Sequence, residues 1–203
     1  MTNPVEKRGF DIFFSALGLV VLSPLLGLIA LIVKLSDGGS VLFRQIRIGQ
    51  FGRPFVMWKF RTMIVNADKS GPGVTKSGDA RITPVGRLLR KTKFDEFPQL
   101  WNVLLGEMSF VGPRPEVPKY VEKYTPEQRR ILDLKPGITD MSTLEFRNEE
   151  ELLKGAADTE KYYLEQCVPR KIELSLQYHL KSSLLLDTQV ILRTILPSPF
   201  QRR

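Results

Sequence analysis

The longest apolar run of the chain lies close to its first residue. Ile12 to Val33 contain no charged side chain, whereas Lys7 and Arg8 stand shortly before the run and Lys34 directly after it. As a helix this run would be about 33 Å long, which is enough to cross the hydrocarbon core of a bilayer. The pattern therefore predicts a helical segment that anchors the protein in a membrane.

Two features of this run bear on how it enters the membrane. Ser23 and Pro24 lie at its midpoint, where proline removes a backbone donor and disturbs a helix. The positive-inside tendency would keep both cationic ends on the cytoplasmic face, so a hairpin that enters and returns satisfies it and a straight span does not. A kinked spanning helix is an alternative, since proline is tolerated in membrane helices. A buried core helix is the third, which the length of the run disfavours.

The pattern after residues 37–39 is that of a soluble domain. Val41 to Phe43 and Phe55 to Trp58 read as two short strands joined by a glycine-bearing loop, which predicts a β-hairpin. Ile82 to Lys93 carries apolar and basic residues with helical spacing, as in an amphipathic helix.

Two later segments predict further helices. Tyr124 to Lys135 would begin with Thr125 as N-cap and Pro126 at the first helical position. Ile172 to Leu196 reads as one or two amphipathic helices, which would either lie in the membrane interface or pack on the globular core. In the interface, the residues near anionic phospholipid headgroups would be Lys171, Lys181 and Arg193.

The predicted fold class is therefore α/β, dominated by helices with a small β-hairpin or sheet. To this the N-terminal run adds either a re-entrant membrane helix hairpin or a spanning helix, and the C-terminal segment adds either interfacial amphipathic helices or helices packed on the core.

Composition restricts the chemistry that this fold can support. The 203 residues carry a formal net charge of +8, which indicates an anionic partner such as nucleic acid, an acidic membrane surface or a phosphorylated substrate. A single cysteine, Cys167, excludes an internal disulfide, and a single histidine, His179, excludes clustered His/Cys metal sites. Acid–base chemistry then falls to carboxylates, lysine or a metal ion.

An adjacent pair of carboxylates, Asp95 and Glu96, stands just before Pro98. Asp95 is a candidate N-cap for a helix of about three turns that ends near Gly106. A helix start favours anions, so it would seat a phosphate and keep a carboxylate ionised, as a nucleophile or metal ligand requires. An ordinary capped surface helix would show the same pair.

Basic residues lead directly into this pair, among them Arg87, Arg90 and Lys91. A solvated basic face is the simple interpretation. In a phosphoryl-transfer site, however, cations hold the phosphate oxygens while an anion attacks or binds Mg²⁺.

Several short motifs follow one another along most of the chain. They are Lys59-Phe60-Arg61-Thr62-Met63, Asp79-Ala80-Arg81-Ile82-Thr83 with Gly86-Arg87, Asp95-Glu96 with Pro98-Gln99-Leu100, Asn102-Val103-Leu104, Met108-Ser109-Phe110-Val111-Gly112-Pro113-Arg114-Pro115 and Lys135-Pro136-Gly137-Ile138-Thr139. In this order they resemble the motifs of the bacterial monotopic phosphoglycosyl transferases, also called the bacterial sugar transferase family.

The resemblance implies a function and a location. Such an enzyme transfers a sugar 1-phosphate from a UDP-sugar to polyprenol (undecaprenyl) phosphate, gives polyprenyl diphosphate sugar and UMP, and so initiates glycan assembly. It acts at the cytoplasmic face of the bacterial inner membrane, and the family's hydrophobic hairpin carries a Ser-Pro break that matches Ser23-Pro24. The resemblance therefore implies a re-entrant membrane-anchoring helix over residues 1–36, a cytosolic catalytic domain with C-terminal amphipathic helices over residues 37–196 and a flexible tail over residues 197–203.

The resemblance also implies roles for individual residues. Asp95 would be the nucleophile that forms a phosphosugar-aspartate intermediate, and Glu96 would assist in positioning or proton handling. Mg²⁺ would bridge Asp95 and the diphosphate. The expected substrate-binding residues are Lys59, Arg61, Arg90, Gln99, Pro113 and Arg114.

Two departures from the family pattern bear on sugar specificity. Where many relatives continue Gly-Trp-Ala-Gln after Thr139, this chain has residues Asp140 to Thr143, and Ser175 stands where a relative has aspartate.

A different class of function would be a non-catalytic membrane-tethered module that recruits glycan-assembly enzymes. Nucleic acid is not an expected partner, because the sequence has no stacking motif or groove-reading fold. The oligomeric state is open, with a homodimer among the alternatives.

Overall fold

The computed structural model describes residues 3–67, 75 and 77–196. The helices are α1 (Pro4–Asp37), α2 (Pro84–Thr92), α3 (Gln99–Leu105), α4 (Pro118–Val121), α5 (Met141–Glu145), α6 (Glu149–Lys154), α7 (Thr159–Tyr162), α8 (Val168–Lys181) and α9 (Leu184–Ile195). The strands are β1 (Leu42–Ile48), β2 (Pro54–Phe60), β3 (Ser109–Val111) and β4 (Gly137–Thr139). A helix-dominated α/β fold with small sheets is thereby confirmed. The predicted tail at residues 197–203 lies outside the described residues.

Helix α1 runs without interruption through Ser23 and Pro24, so the structure does not divide it into two hairpin arms. Pro24 has no N–H to donate to the carbonyl of Val20, but the Ser23 hydroxyl donates to that oxygen at 2.8 Å. The serine thus replaces the bond that the proline removes. Among the described residues, α1 is the one helix long and apolar enough to cross a membrane. Its return to the same membrane face stays a prediction.

The first turns of α1 are fastened to the soluble part of the fold. Lys7 forms an ion pair with the buried Asp187 of α9. Arg8 donates to the carbonyls of Val103 and Leu104, each at 2.7 Å, where α3 ends. One turn later, the buried Asp11 accepts hydrogen bonds from the hydroxyl of Ser109 and from the next backbone N–H, so α1 is also tied to β3.

The last turns of α1 are fastened to a different part of the same unit. Ile29 and Val33 are buried against Phe60 of β2 and Leu89 of α2. Asp37, the last residue of the helix, forms an ion pair with Arg61. Between the two attached ends the helix is largely open, with Val20 72%, Val21 64% and Leu28 54% exposed.

Strands β1 and β2 form an antiparallel hairpin. The predicted strands are confirmed and are longer than expected, because the pairing continues from Leu42 opposite Phe60 to Ile48 opposite Pro54. A 3₁₀ turn at Gln50–Gly52 closes the hairpin.

Strands β3 and β4 form a short parallel pair that brings two distant glycines together. A Cβ on Gly137 would lie 2.2 Å from the backbone nitrogen of Gly112, so a side chain cannot be placed there without moving the backbone. This close approach fixes the start of the Pro113-Arg114-Pro115 segment.

The second half of the chain packs around its own core. Buried side chains of this core include Leu153, Tyr163 and Cys167. The segment predicted between Ile172 and Leu196 forms two helices, α8 and α9, and Val190 of α9 is buried while Leu185 and Ile195 are exposed. Packing on the core therefore accounts for one face of α9, and its contact with a membrane stays a prediction.

The helix predicted from Tyr124 to Lys135 is wrong in type and extent. A 3₁₀ helix occupies only Gln128–Asp133, although the hydroxyl of Thr125 does accept from the N–H of Gln128 at 3.3 Å. Pro136 disfavours helical geometry just before it, and Leu134 is already extended, so the segment is too short for a stable α-helix.

Candidate active site

The two adjacent carboxylates, Asp95 and Glu96, form a carboxylate doublet that lies in a turn between two helices. Helix α2 ends at Thr92 and is capped by Lys93, which has a left-handed backbone with φ of 60°, and a 3₁₀ turn follows at Phe94–Glu96. The N–H of Glu96 donates to the carbonyl of Lys93 at 3.2 Å, which closes this turn.

Asp95 therefore does not cap α3, as the sequence had suggested. The helix has 7 residues, begins after Pro98 and ends at Gly106 as predicted. Because the backbone of the 3₁₀ turn supplies its own hydrogen bonds, the Asp95 carboxylate is not used as a cap. The α-helix therefore starts four residues later than Asp95, and binding of a phosphate at this turn stays a prediction.

Glu96 is clamped by two cations from separate elements. The ammonium of Lys59, on β2, lies 3.1 Å from Oε1 of Glu96. The guanidinium of Arg114, from the segment after β3, reaches Oε1 at 2.5 Å and Oε2 at 3.2 Å. A bidentate pair of this kind fixes both position and orientation of the carboxylate.

The two carboxyl groups are shifted in opposite directions. Burial by itself would raise the pKa of Glu96, but the charges of Arg114 and Lys59 outweigh it and hold that pKa well below its usual range. Burial, followed by the negative charge of Glu96, raises the pKa of Asp95 against the opposing charge of Lys59. A helix start was expected to favour the ionised form of Asp95, but burial and the charge of Glu96 shift its pKa in the opposite direction, because the nearest cations are bound to Glu96.

Burial and neighbouring charges also shift the pKa values of Lys59 and Arg114, the two cations bound to Glu96. Burial lowers the pKa of Lys59 to about 8, in spite of its attraction to Glu96. The charge of Glu96 raises the pKa of Arg114. Arg114 is a permanent cation, whereas Lys59 titrates near neutral pH.

Two side chains at the doublet carry buried polar atoms that lack hydrogen-bond partners within the described part of the chain. They are Oδ1 of Asp95 and both amide atoms of Gln99, whose residue is fully buried. Buried polar atoms are nearly always paired in folded proteins. Such atoms beside a reactive carboxylate suit a ligand that supplies the missing partners.

The other predicted substrate-binding residues have protein partners. Arg61 forms its ion pair with Asp37 and so ties the end of α1 to the strand that carries Lys59. Arg90 donates to the hydroxyl of Thr62 at 3.0 Å and forms an ion pair with Glu150, and its charge also acts on Asp95. The carbonyl of Pro113 accepts from the N–H of Gly137 at 3.0 Å. Of these, only Arg90 adds charge to the doublet.

Sequence reasoning missed the support beneath Arg114. Arg47 on β1 donates to the carbonyl of Pro115 at 2.9 Å, and its guanidinium is oriented by the amide oxygen of Gln45. These two residues are two apart on one strand and therefore share a face. The spacing indicates that the two side chains act together, but the contact of Arg47 with Pro115 could not be predicted from the sequence.

The side chains of the doublet are chemically compatible with a Mg²⁺ ion. Within the described residues, no group of three or more His, Cys, Asp or Glu side chains could hold a metal ion alone. Mg²⁺ commonly takes one or two carboxylates, keeps several waters and uses substrate phosphates as further ligands. The unpartnered oxygen of Asp95 fits that mode of binding.

These features combine a buried carboxylate, a set of cations and an apolar helix, as expected for phosphoryl chemistry at a membrane. The chain belongs to the bacterial sugar transferase family, whose model matches residues 2–199.

Named relatives cover different shares of the chain. It is 38% identical over 196 residues to a UDP-glucose:undecaprenyl-phosphate glucose-1-phosphate transferase of Klebsiella pneumoniae, which covers 95% of this chain and 40% of the relative. It is 35% identical over 195 residues to a UDP-N-acetylgalactosamine-undecaprenyl-phosphate N-acetylgalactosaminephosphotransferase of Aeromonas hydrophila, covering 93% and 42%. It is 41% identical over 160 residues to the exopolysaccharide production protein ExoY of Sinorhizobium fredii, covering 71% of each. The chain thus spans less than half the length of the first two relatives.

Proposed function

We propose that this chain transfers a sugar 1-phosphate from a UDP-sugar to polyprenol phosphate, producing polyprenyl diphosphate sugar and UMP. The observation that carries the proposal is the buried Asp95 with an unpartnered oxygen, beside a Glu96 clamped by Lys59 and Arg114. The names of the relatives, which act on UDP-sugars and undecaprenyl phosphate, support the same reaction.

Asp95 acts as the nucleophile in the first step. A carboxylate oxygen attacks the β-phosphorus of the donor, a new O–P bond forms, and the bond to the bridging oxygen breaks with its electron pair leaving on UMP. The sugar phosphate remains on Asp95 as an acyl phosphate. Only the ionised carboxylate is a nucleophile, so Asp95, whose pKa burial raises, must lose its proton before it attacks.

The acceptor completes the cycle in the second step. A phosphate oxygen of polyprenol phosphate attacks the same phosphorus, and the bond to Asp95 breaks to regenerate the carboxylate. The two substrates thus react in turn rather than together, which is a ping-pong scheme.

The remaining residues of the doublet position these groups. Glu96 keeps Lys59 and Arg114 in place next to Asp95, so that both cations face the donor phosphates. Asp95 would hold Mg²⁺ together with the donor diphosphate, and the bound ion would offset negative charge on the leaving group.

We infer a monotopic arrangement, with the site at the cytoplasmic face of the bacterial inner membrane. A straight helix of 34 residues is about 51 Å long, so its ends would lie on opposite sides of a bilayer that it crossed. Both ends of α1 instead contact the same soluble unit, through Arg8 at one end and Asp37 at the other. Attachment of both ends to one unit supports a helix that enters the bilayer from one face without crossing it.

UMP release tests the reaction. The full chain in detergent micelles is incubated with UDP-glucose or UDP-N-acetylgalactosamine, with and without undecaprenyl phosphate. We expect release with one of these or a related UDP-sugar, loss of release in Asp95→Asn, and unchanged release in Asp133→Asn, an exposed control.

A trapping experiment tests the intermediate. With donor alone, a sugar-phosphate adduct should be found by mass spectrometry on the peptide that contains Asp95. Turnover that continues in Asp95→Asn, or turnover with no adduct on that peptide, would contradict the assigned nucleophile. Failure of the wild type to release UMP from a full panel of UDP-sugars would favour a module that only recruits other enzymes.

A further inference from the structure

Lys93 differs from the other cations around the doublet. Lys59 and Arg114 are both bound to Glu96, and Arg90 is shared between Thr62 and Glu150. The side chain of Lys93 is exposed and makes no hydrogen bond or ion pair with any described residue.

The backbone of Lys93 is held in an unusual conformation next to the site. Its φ of 60° is in the left-handed region, which is costly for residues other than glycine, asparagine or aspartate. Its N–H bonds to the end of α2 and its carbonyl accepts from Glu96. The position is therefore fixed from both sides, two residues before Asp95, and its charge reaches both carboxylates.

On one side, Lys93 borders apolar residues that adjoin the membrane helix. Phe94 packs against the cluster formed by Ile29 and Val33 of α1 with Leu89 of α2. Leu88, on the last turns of α2, is 63% exposed. A lysine bordered by such residues can place its charge at a phosphate while its stem lies on apolar material.

We propose that Lys93 binds the phosphate of the polyprenol phosphate acceptor as that lipid approaches Asp95 from the side of α1. The acceptor joins a charged phosphate to a long apolar tail, so its head needs a free cation at the edge of an apolar surface. Lys93 offers one that has no protein partner among the described residues, whereas Lys59 and Arg114 are bound to Glu96 and, in the proposed reaction, face the donor phosphates. This assignment rests on the proposed function and gives the second substrate its own binding residue.

Three variants separate charge from backbone conformation. Lys93→Asn removes the charge but tolerates the left-handed backbone, and Lys93→Arg keeps the charge. Lys91→Asn is the matched control, because Lys91 is an exposed cation on the same helix end. Equal melting temperatures for the variants would show that the fold is kept.

The assay uses the full chain in nonionic micelles free of phospholipid. The donor step is followed alone, as exchange of labelled UMP into the UDP-sugar, and the complete reaction gives KM for undecaprenyl phosphate. For Lys93→Asn we expect the acceptor KM to rise about tenfold, the size of one lost hydrogen bond to a charged group. Exchange, donor KM and the Lys91→Asn variant should stay within about twofold, and Lys93→Arg should recover most of the acceptor KM.

Other results would overturn the assignment. A raised donor KM or slower exchange would place Lys93 on the donor instead. Weaker binding to phosphatidylglycerol vesicles with an unchanged acceptor KM in lipid-free micelles would mean that Lys93 binds bilayer headgroups. A wild type that shows neither exchange nor UMP release would overturn the proposed function and this assignment with it.

Discussion

At the scale of single residues, Asp95 and Glu96 are similar side chains with different partners. Glu96 takes the bidentate guanidinium of Arg114 and the ammonium of Lys59, so it serves as a fixed anion. Asp95 keeps an oxygen without a partner among the described residues. Adjacent carboxylates can thus have different roles because their partners differ, which the two letters of the sequence do not reveal.

The titration of Lys59 predicts an alkaline limit on activity. Its pKa of about 8 means that the ammonium loses its proton, and its attraction for phosphate, as pH rises through that value. We expect kcat/KM for the UDP-sugar to fall above about pH 8, since this parameter reports groups of the free enzyme. Lys59→Arg should move the fall to higher pH, because a guanidinium stays charged.

Measured pH profiles of both proteins check this prediction. At the acid end the profile should fall as Asp95 takes up a proton, at a pH above the usual range for aspartate, because its pKa is raised. An alkaline fall that stays near pH 8 in Lys59→Arg would assign it to another group.

Two departures from the family pattern meet in the structure. The carboxylate of the buried Asp140 accepts from the hydroxyl of Ser142 at 2.7 Å and the N–H of Thr143 at 2.8 Å, and its other oxygen accepts from the hydroxyl of Ser175. Positions 140 and 175 are far apart in sequence, so their contact could not be predicted from one chain. The buried hydroxyl of Ser175 thus meets a carboxylate that comes from position 140.

This contact predicts energetic coupling between the two positions. Ser175→Asp would place a second carboxylate against Asp140, and Asp140→Gly would remove the partner of several hydroxyls, so each should cost about 2 kcal/mol of stability. The double variant should cost at least about 1 kcal/mol less than the sum. Denaturation of the four proteins measures the coupling, and strictly additive losses would show that the positions act independently.

At the scale of elements, the structure confirms most helices and strands but moves their boundaries. The amphipathic pattern of α2 was sufficient to predict that helix, and the short strand-like stretches on either side of a glycine-bearing loop were sufficient to predict β1 and β2. The start of α3 was not predictable from the Asp95 signal, because a 3₁₀ turn with its own backbone bonds precedes Pro98. Contacts between elements, such as Arg47 with Pro115, also lay beyond sequence reasoning.

The end of α3 depends on a residue of α1. The last carbonyls of a helix lack partners within the helix. Arg8 donates to the carbonyl of Leu104 and adds a second donor to that of Val103, which also accepts from the N–H of Gly106. We expect Arg8→Met, which keeps an apolar stem, to lower the free energy of unfolding by about 2 kcal/mol and the apparent Tm by about 6 °C. Thermal unfolding in detergent should show this drop, whereas the exposed Arg87→Met serves as control; equal Tm values would show that the contact is not stabilising.

At the scale of the whole molecule, the attachment of α1 at both ends leads to a topology prediction. Val5 and Ser40 are exposed and lie near the two ends of the helix, and the native Cys167 is buried and should react slowly. In sealed inner-membrane vesicles, cysteines at positions 5 and 40 should be labelled by an impermeant maleimide from the cytoplasmic side only. Labelling of the two positions from opposite sides would mean that the helix spans.

The same double attachment limits what can be removed from the protein. A chain shortened to begin after α1 would uncover Phe60 and Leu89 to water and would leave the buried Asp187 without the ammonium of Lys7. Exposed apolar surface of that kind promotes self-association. Deletion of α1 should therefore yield aggregates rather than a soluble enzyme. Preparation of the protein requires detergent or lipid that covers the intact helix.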